Sequence, residues 1–188
     1  MDRYMVTLSG KRLYFDRGMP TIDDIFLNHC RTPMYCAHTE EFMSVGHHVL
    51  GSALIAKAIG NDKPVQLLSL LHEAEVVMFG NIPGPSKIKS QRMAEKTFRN
   101  RFFQSIEILN YDHIWDSVEF VDKLEQWASC QLYNLPERVY EEITATDEMF
   151  KTALEIVADV KLRFPPYLQL ALNSNLFWEL KSVYGSLT

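Results

Sequence analysis

The sequence has little cysteine, no long apolar run and no excess of positive charge. Its three cysteines, Cys30, Cys36 and Cys130, are too few for a disulfide framework, and the odd count suits a reducing compartment. Cys30 and Cys36 are separated by five residues with no second pair, which argues against a zinc knuckle. No apolar stretch approaches the ~20 residues that a membrane-spanning helix needs. The opening "MDRYMVTLSGKRLYF" lacks the apolar core of a signal peptide, so the expected location is cytoplasmic and no membrane partner is expected. With a net charge of -5, bulk electrostatics do not ask for nucleic acid. The one basic stretch, "KIKSQRMAEKTFRNR", reads as a solvated helix face rather than a nucleic-acid patch.

What is present is enough apolar material for one sizeable core: 188 residues, 47% hydrophobic, which suits a single domain over 1–188. Residues 4–15 read as a small β-hairpin around Ser9-Gly10. Beyond it the periodicity is helical. Thr21 is a fitting N-cap for "TIDDIFLNHC", with acids in the first turn. "SVGHHVLGSALIAKAIG" repeats Val45, Val49, Ala53, Ala56 and Ile59 at helical spacing and stops at Gly60. Pro64 opens "PVQLLSLLHEAEVVMF", apolar on nearly every side and therefore a buried helix, which "GNIPGPSK" breaks. A polar-amphipathic helix is expected over 89–109, and another over 113–133 with Ile114, Val118, Val121, Leu124 and Ala128 as its apolar stripe. Two C-terminal helices follow within 147–186, the first capped at Asp147 and stopped by Pro165-Pro166. The expected fold class is therefore all-α, a compact helical bundle with a small N-terminal hairpin.

The chemistry lies in "LLHEAEVVMFGNIPGPSK". His72 and Glu73 stand side by side in an apolar run, with Glu75 close behind. Burying an uncompensated charge is expensive, so a metal ion, a partner cation or a substrate should compensate. His48 and Asp122, from two other expected helices, complete a set of imidazoles and carboxylates that suits a borderline divalent cation in a helix bundle. His47 adjoins His48, so spacing alone does not decide which of them ligates.

The order His, then His-acid, then a distant Asp resembles the HD-domain metal-dependent phosphohydrolases. The likeness is closest to the compact branch of YfbR-like 5′-deoxynucleotidases and DatZ-type phage dATP triphosphohydrolases, and it covers about residues 4–130. "LSGKRLYFDRGMPTIDDI" resembles that branch's lead-in and "AHTEEFMSVGHHV" its first-ligand segment. "LLHEAEVVMFGNIPGPSK" is similar to its His-Asp segment, and "SVEFVDKLE" to the helix carrying its last Asp. The resemblance implies an HD-domain bundle with His48, His72, Glu73 and Asp122 as ligands of a divalent ion (manganese, cobalt, nickel, iron, zinc or magnesium). It further implies Lys87, Arg31, His38 and Tyr35 on the substrate side, a nucleotide or other small phosphorylated substrate, and a homo-oligomer.

Departures from the pattern carry weight. Glu73 stands where the family has Asp. The family's catalytic Glu falls on Val76, which cannot move a proton, and Glu75 beside it would be rotated about 100° on a continuous helix. The following Asp falls on Asn81, able to hydrogen-bond but not to act as a base. The phosphate-binding Arg falls on Met34, with Arg31 one turn earlier, and a Lys before the last Asp falls on Glu119. Two functions are therefore expected as alternatives. One is a phosphohydrolase with a rearranged site in which Glu75 and Asn81 take catalytic positions. The other is a catalytically degenerate HD fold that binds a nucleotide or a protein partner.

Overall fold

The computed structural model describes residues 4–7, 10–14, 17–37, 39, 41–133, 135, 143–163 and 166–184. The chain begins with a two-stranded antiparallel hairpin, β1 (Tyr4–Val6) and β2 (Arg12–Tyr14), in which Met5 pairs with Leu13. Among the described residues, the regular elements after it are helices: α1 (Ile22–His29), α2 (Val45–Ala58), α3 (Lys63–Leu71), α4 (Val76–Phe79), α5 (Lys89–Ser105), α6 (Trp115–Leu132), α7 (Asp147–Arg163) and α8 (Pro166–Tyr184). The expected all-α fold with a small N-terminal hairpin is what forms.

Local sequence accounts for most boundaries. Thr21 and Asp24 form a capping box on α1, and Ser44 caps α2 with the help of the His47 ring. Asp62 caps α3, whose first turn holds Pro64. These side chains satisfy backbone donors that a helix start leaves unpaired. Gly60 follows α2 with φ 85°, a left-handed conformation that glycine adopts without a Cβ penalty.

α2 is the central element and touches α3, α6, α7 and α8. It is buried on nearly all sides, from Val45 through Ala56, and this explains why its sequence is apolar all round rather than striped. One hydrophobic core runs from Leu13 in the hairpin to Leu180 in α8. The C-terminal helices belong to that core: α7 packs on α6 and α2, and α8 on α3, α1 and α2. Leu67, Leu68, Leu70 and Leu71 of α3 are fully buried, each worth roughly 2 kcal/mol of transfer free energy. Among the described residues no helix is long and apolar enough to cross a membrane.

One expected element divides. The run from Pro64 to Phe79 is not a continuous helix: α3 ends at Leu71, residues 72–75 form turns, and α4 restarts at Val76. The physical reason is that side chains take the carbonyls of the break. The His72 ring Nδ1 donates to the Ser69 carbonyl at 2.7 Å, Arg99 Nη1 donates to the His72 carbonyl at 3.1 Å, and His29 Nε2 donates to the Glu73 carbonyl at 2.9 Å. Tertiary partners thus replace helical bonds that propensity alone would have formed.

Candidate metal centre

Three helices converge at one point. His48 lies in the first half of α2, His72 caps the C-terminus of α3, and Asp122 lies in α6. His48 Nε2 is 3.0 Å from His72 Nε2. Asp122 Oδ1 is 3.1 Å from His48 Nε2 and 3.4 Å from His72 Nε2. Both histidines are buried, and Asp122 is half-buried at the edge of a cleft.

The partners behind each ring fix its tautomer. The Glu125 carboxylate, fully buried, accepts from His48 Nδ1. The Ser69 carbonyl accepts from His72 Nδ1 at 2.7 Å. Each Nδ1 must therefore carry its proton, and in the neutral rings each Nε2 presents a lone pair. Two lone pairs and a carboxylate oxygen meeting at 3.0–3.4 Å repel one another unless a cation lies among them. Donor atoms bound to one divalent ion at about 2.1 Å stand about 3.0–3.4 Å apart in octahedral or tetrahedral sets. The buried His48–His72–Asp122 group could hold a metal ion.

The electrostatics agree. Burial opposes charge on His48, but Glu125 and Asp122 outweigh it and raise its pKa well above the ordinary value. Burial likewise opposes charge on His72, and Asp122 outweighs it against the repulsion of His48. Burial would raise Asp122, yet the two histidines hold its carboxyl far below the usual carboxylate range. Without a metal, the same carboxylates favour a proton on the rings.

His47 has another task. Its Nδ1 lies 2.9 Å from the Ser44 hydroxyl and accepts the Ser44 backbone N–H at 3.1 Å. The structure therefore separates the two adjacent histidines into a helix cap and a cluster member.

The remaining expected site residues divide among several places. Glu73 is not one of the clustered residues. It is half-buried and, with Asp122, Gly84 and Lys87, lines both lobes of the adjoining cleft. The first lobe, about 220 Å3, also takes Tyr35, Asn81 and Gln126. Tyr35 holds a left-handed backbone there, φ 51°, which is uncommon for a bulky residue. Asn81 is a strut: its Nδ2 donates to the Pro33 carbonyl at 3.0 Å. The second lobe, about 330 Å3, takes His72, Glu75, Arg99 and Trp115. Arg31 lines a different cavity, about 300 Å3, beneath the hairpin with Met5, Asp24 and Val77. His38 lies outside the described residues.

Glu75 gains from the break in the helix. It is no longer carried on a continuous α-helix, and its side chain lines the second lobe. Arg99 Nη1 donates to Glu75 Oε1 at 3.0 Å, while the buried Oε2 has no hydrogen-bond partner. Burial pushes its pKa up to about 7, with Arg99 opposing and Glu73 adding to the rise.

Sequence reasoning missed Glu125 and the cations of α5. Glu125 sits on the same face as Val118, Val121 and Ala128, so an acid interrupting the apolar stripe of α6 was its available signal. Arg92, Lys96 and Arg99, with Lys87, line the second lobe, where sequence analysis assigned that helix face to solvent. Lys87 pairs with the buried Glu95 at 2.9 Å, Arg92 donates to the Gly84 carbonyl at 2.6 Å, and Arg99 stacks on the Trp115 ring at 4.5 Å. Trp115 Nε1 in turn donates to Glu119 at 2.9 Å.

The fold and site define an all-α protein with a His/Asp cluster, fit for a metal ion, beside a two-lobed polar cleft. In comparisons with known proteins the chain matches no family model and no curated protein.

Proposed function

We propose that the protein is a metal-dependent phosphohydrolase of the HD type, acting on a nucleotide or another small phosphorylated substrate. The observation that carries the proposal is the direction of the two histidines. Glu125 and Ser69 turn both Nε2 lone pairs onto the point that Asp122 also faces. The order of these residues along the chain, and their origin on separate helices, supports the resemblance to that superfamily. Glu73 standing apart from the cluster leaves three protein ligands, which leaves positions open for water and substrate.

A divalent ion held there would acidify a water and draw charge from a phosphoryl oxygen. The chain's own groups supply the rest. His48, His72 and Asp122 bind the ion. Glu75, with a pKa of about 7 and a buried oxygen lacking a partner in the same lobe as His72, accepts a proton near neutral pH, the condition that suits a general base. Lys87, Arg92, Lys96 and Arg99 bring cations to the second lobe for phosphate, and Glu73, Glu75, Glu95, Glu119 and Asp122 on the same lobe limit how much negative charge it accepts. Tyr35 in the first lobe offers a ring to the remainder of the substrate, while the amide nitrogens of Asn81 and Gln126 hold the Pro33 carbonyl and Asp122.

A second reading is a degenerate HD fold that binds without catalysis. Val76 in place of the family's catalytic Glu, and the position of Glu73 outside the cluster, favour it. One experiment separates the two. Elemental analysis of the purified protein and of His72→Ala, after incubation with manganese, cobalt, nickel, iron, zinc and magnesium, is followed by a hydrolysis panel of nucleoside mono-, di- and triphosphates. A near-stoichiometric metal lost in His72→Ala, with release of phosphate, supports the enzyme. Metal without turnover leaves the binding protein, and no metal under any condition rejects the hydrolase.

A further inference from the structure

We infer that Glu125 is a positioning residue for the metal centre, holding the His48 ring so that its Nε2 faces the ion; the inference rests on the metal reading above. Glu125 lies on α6 three residues after Asp122, so one helix supplies both a ligand and the partner that orients another ligand. Its carboxylate is fully buried. One oxygen accepts from His48 Nδ1, and the other accepts from the Ser129 hydroxyl at 2.8 Å. Both oxygens are thus fixed, and the carboxylate cannot rotate away from the ring.

The room for this carboxylate is made on α2. A Cβ at Gly51 would lie 3.3 Å from Glu125 Cγ, tighter than most packed contacts, and 3.4 Å from Oε1, so the carboxylate would have to shift by a few tenths of an ångström. Gly51 is three residues after His48, so the helix that presents the ring also opens the slot for the acid behind it. A buried charge is retained only where it is paired and hydrogen-bonded, and here the His48 ring supplies the pairing and the Ser129 hydroxyl the second hydrogen bond. Outer carboxylates of this kind set the tautomer of a ligating histidine and increase its donor strength, and their loss lowers metal affinity about 10–100-fold.

The test is Co2+ affinity of the full chain, measured by competition with a chelator, together with the visible absorption of the Co2+ protein. The proteins are wild type, Glu125→Gln, Glu125→Ala and Gly51→Ala, each checked for its metal-free unfolding transition. A glutamine carbonyl still accepts from Nδ1–H but carries no charge, whereas alanine does neither. The expected order of affinity is therefore wild type, then Glu125→Gln about 10–100-fold weaker, then Glu125→Ala weaker again, with a shifted Co2+ band in both. Gly51→Ala keeps the carboxylate but displaces it, and should weaken binding in a protein that is still folded. That variant carries the test if either Glu125 variant fails to fold. Equal affinity and an unchanged spectrum in the folded variants overturn the inference while the metal site stands. Absence of Co2+ binding in wild type overturns the metal reading itself.

Discussion

His48 and His72 face each other through Nε2 atoms 3.0 Å apart, and each ring's other nitrogen is committed to a hydrogen bond behind it. Neither ring can turn its proton inward without leaving a buried acceptor unpaired. The pair, with Asp122, forms a group that could hold a cation.

Replacing either histidine removes a ligand and the cost of confronting two lone pairs. His48→Ala should abolish stoichiometric metal binding. It also strands the buried Glu125 carboxylate, so the metal-free variant should lose about 3 kcal/mol of stability. Urea unfolding and elemental analysis of the same preparation check both outcomes.

A metal bound as proposed would compete with protons for the same nitrogens. Because the neighbouring carboxylates hold both histidines more basic than an ordinary imidazole in the metal-free protein, a bound ion would have to displace protons from them. Affinity should rise with pH until the rings are neutral. Titration calorimetry in buffers of different ionisation enthalpy should show net proton release on binding, larger at lower pH. A pH-independent affinity would contradict this account of the site.

Glu75 sets a slope in the opposite sense on stability. Its pKa rises from 4.5 to about 7 on folding, so between those values the folded state holds more protons than the unfolded one. Stability must then fall as pH rises. The penalty is absent below about pH 4.5 and complete above about pH 7, and reaches about 3 kcal/mol. In Glu75→Gln this slope disappears. The difference between the pH profiles of the two metal-free proteins, from urea unfolding at pH 5 and 7.5, isolates it, since the histidine contributions are common to both.

Arg99 joins the break in the helix to α5 through the His72 carbonyl and Glu75 Oε1. Arg99→Met should cost about 2–3 kcal/mol, the range for hydrogen bonds to charged groups. It should also move the Glu75 titration upward, because the guanidinium is the leading influence that lowers that pKa. In an active enzyme the acidic limb of the pH–rate profile would move with it. A stable variant with an unmoved limb would show that Glu75 is not the proton acceptor.

Much of this protein was legible in one dimension. Thr21, Pro64 and Gly60 mark helix ends because capping, a fixed φ and a left-handed turn are properties of a few neighbouring residues. The all-round apolar character of α3 announced burial before any partner was known, whereas α2 read as a spaced apolar repeat and its burial on nearly all sides emerged only in the fold. His72 stood out in an apolar run and Asp122 beside an apolar stripe, while the family resemblance singled out His48 over His47, and the structure brings those three together.

What the linear sequence could not carry depends on atoms far apart along the chain. The apolar run from Pro64 to Phe79 has every local reason to be one helix. It breaks because His29, Arg99 and the His72 ring claim three of its carbonyls. That break, and not residue type, decides that Glu75 lines the lobe with His72 while Glu73 stands outside the cluster. Glu125 and the cations of α5 are likewise ordinary charged residues in sequence, and only packing decides which carboxylate is sealed behind a ring and which guanidinium reaches a cleft. Periodicity and capping are short-range energetics and survive in the sequence, whereas the direction of a lone pair is fixed by hydrogen-bond partners that only the folded chain brings within about 3 Å.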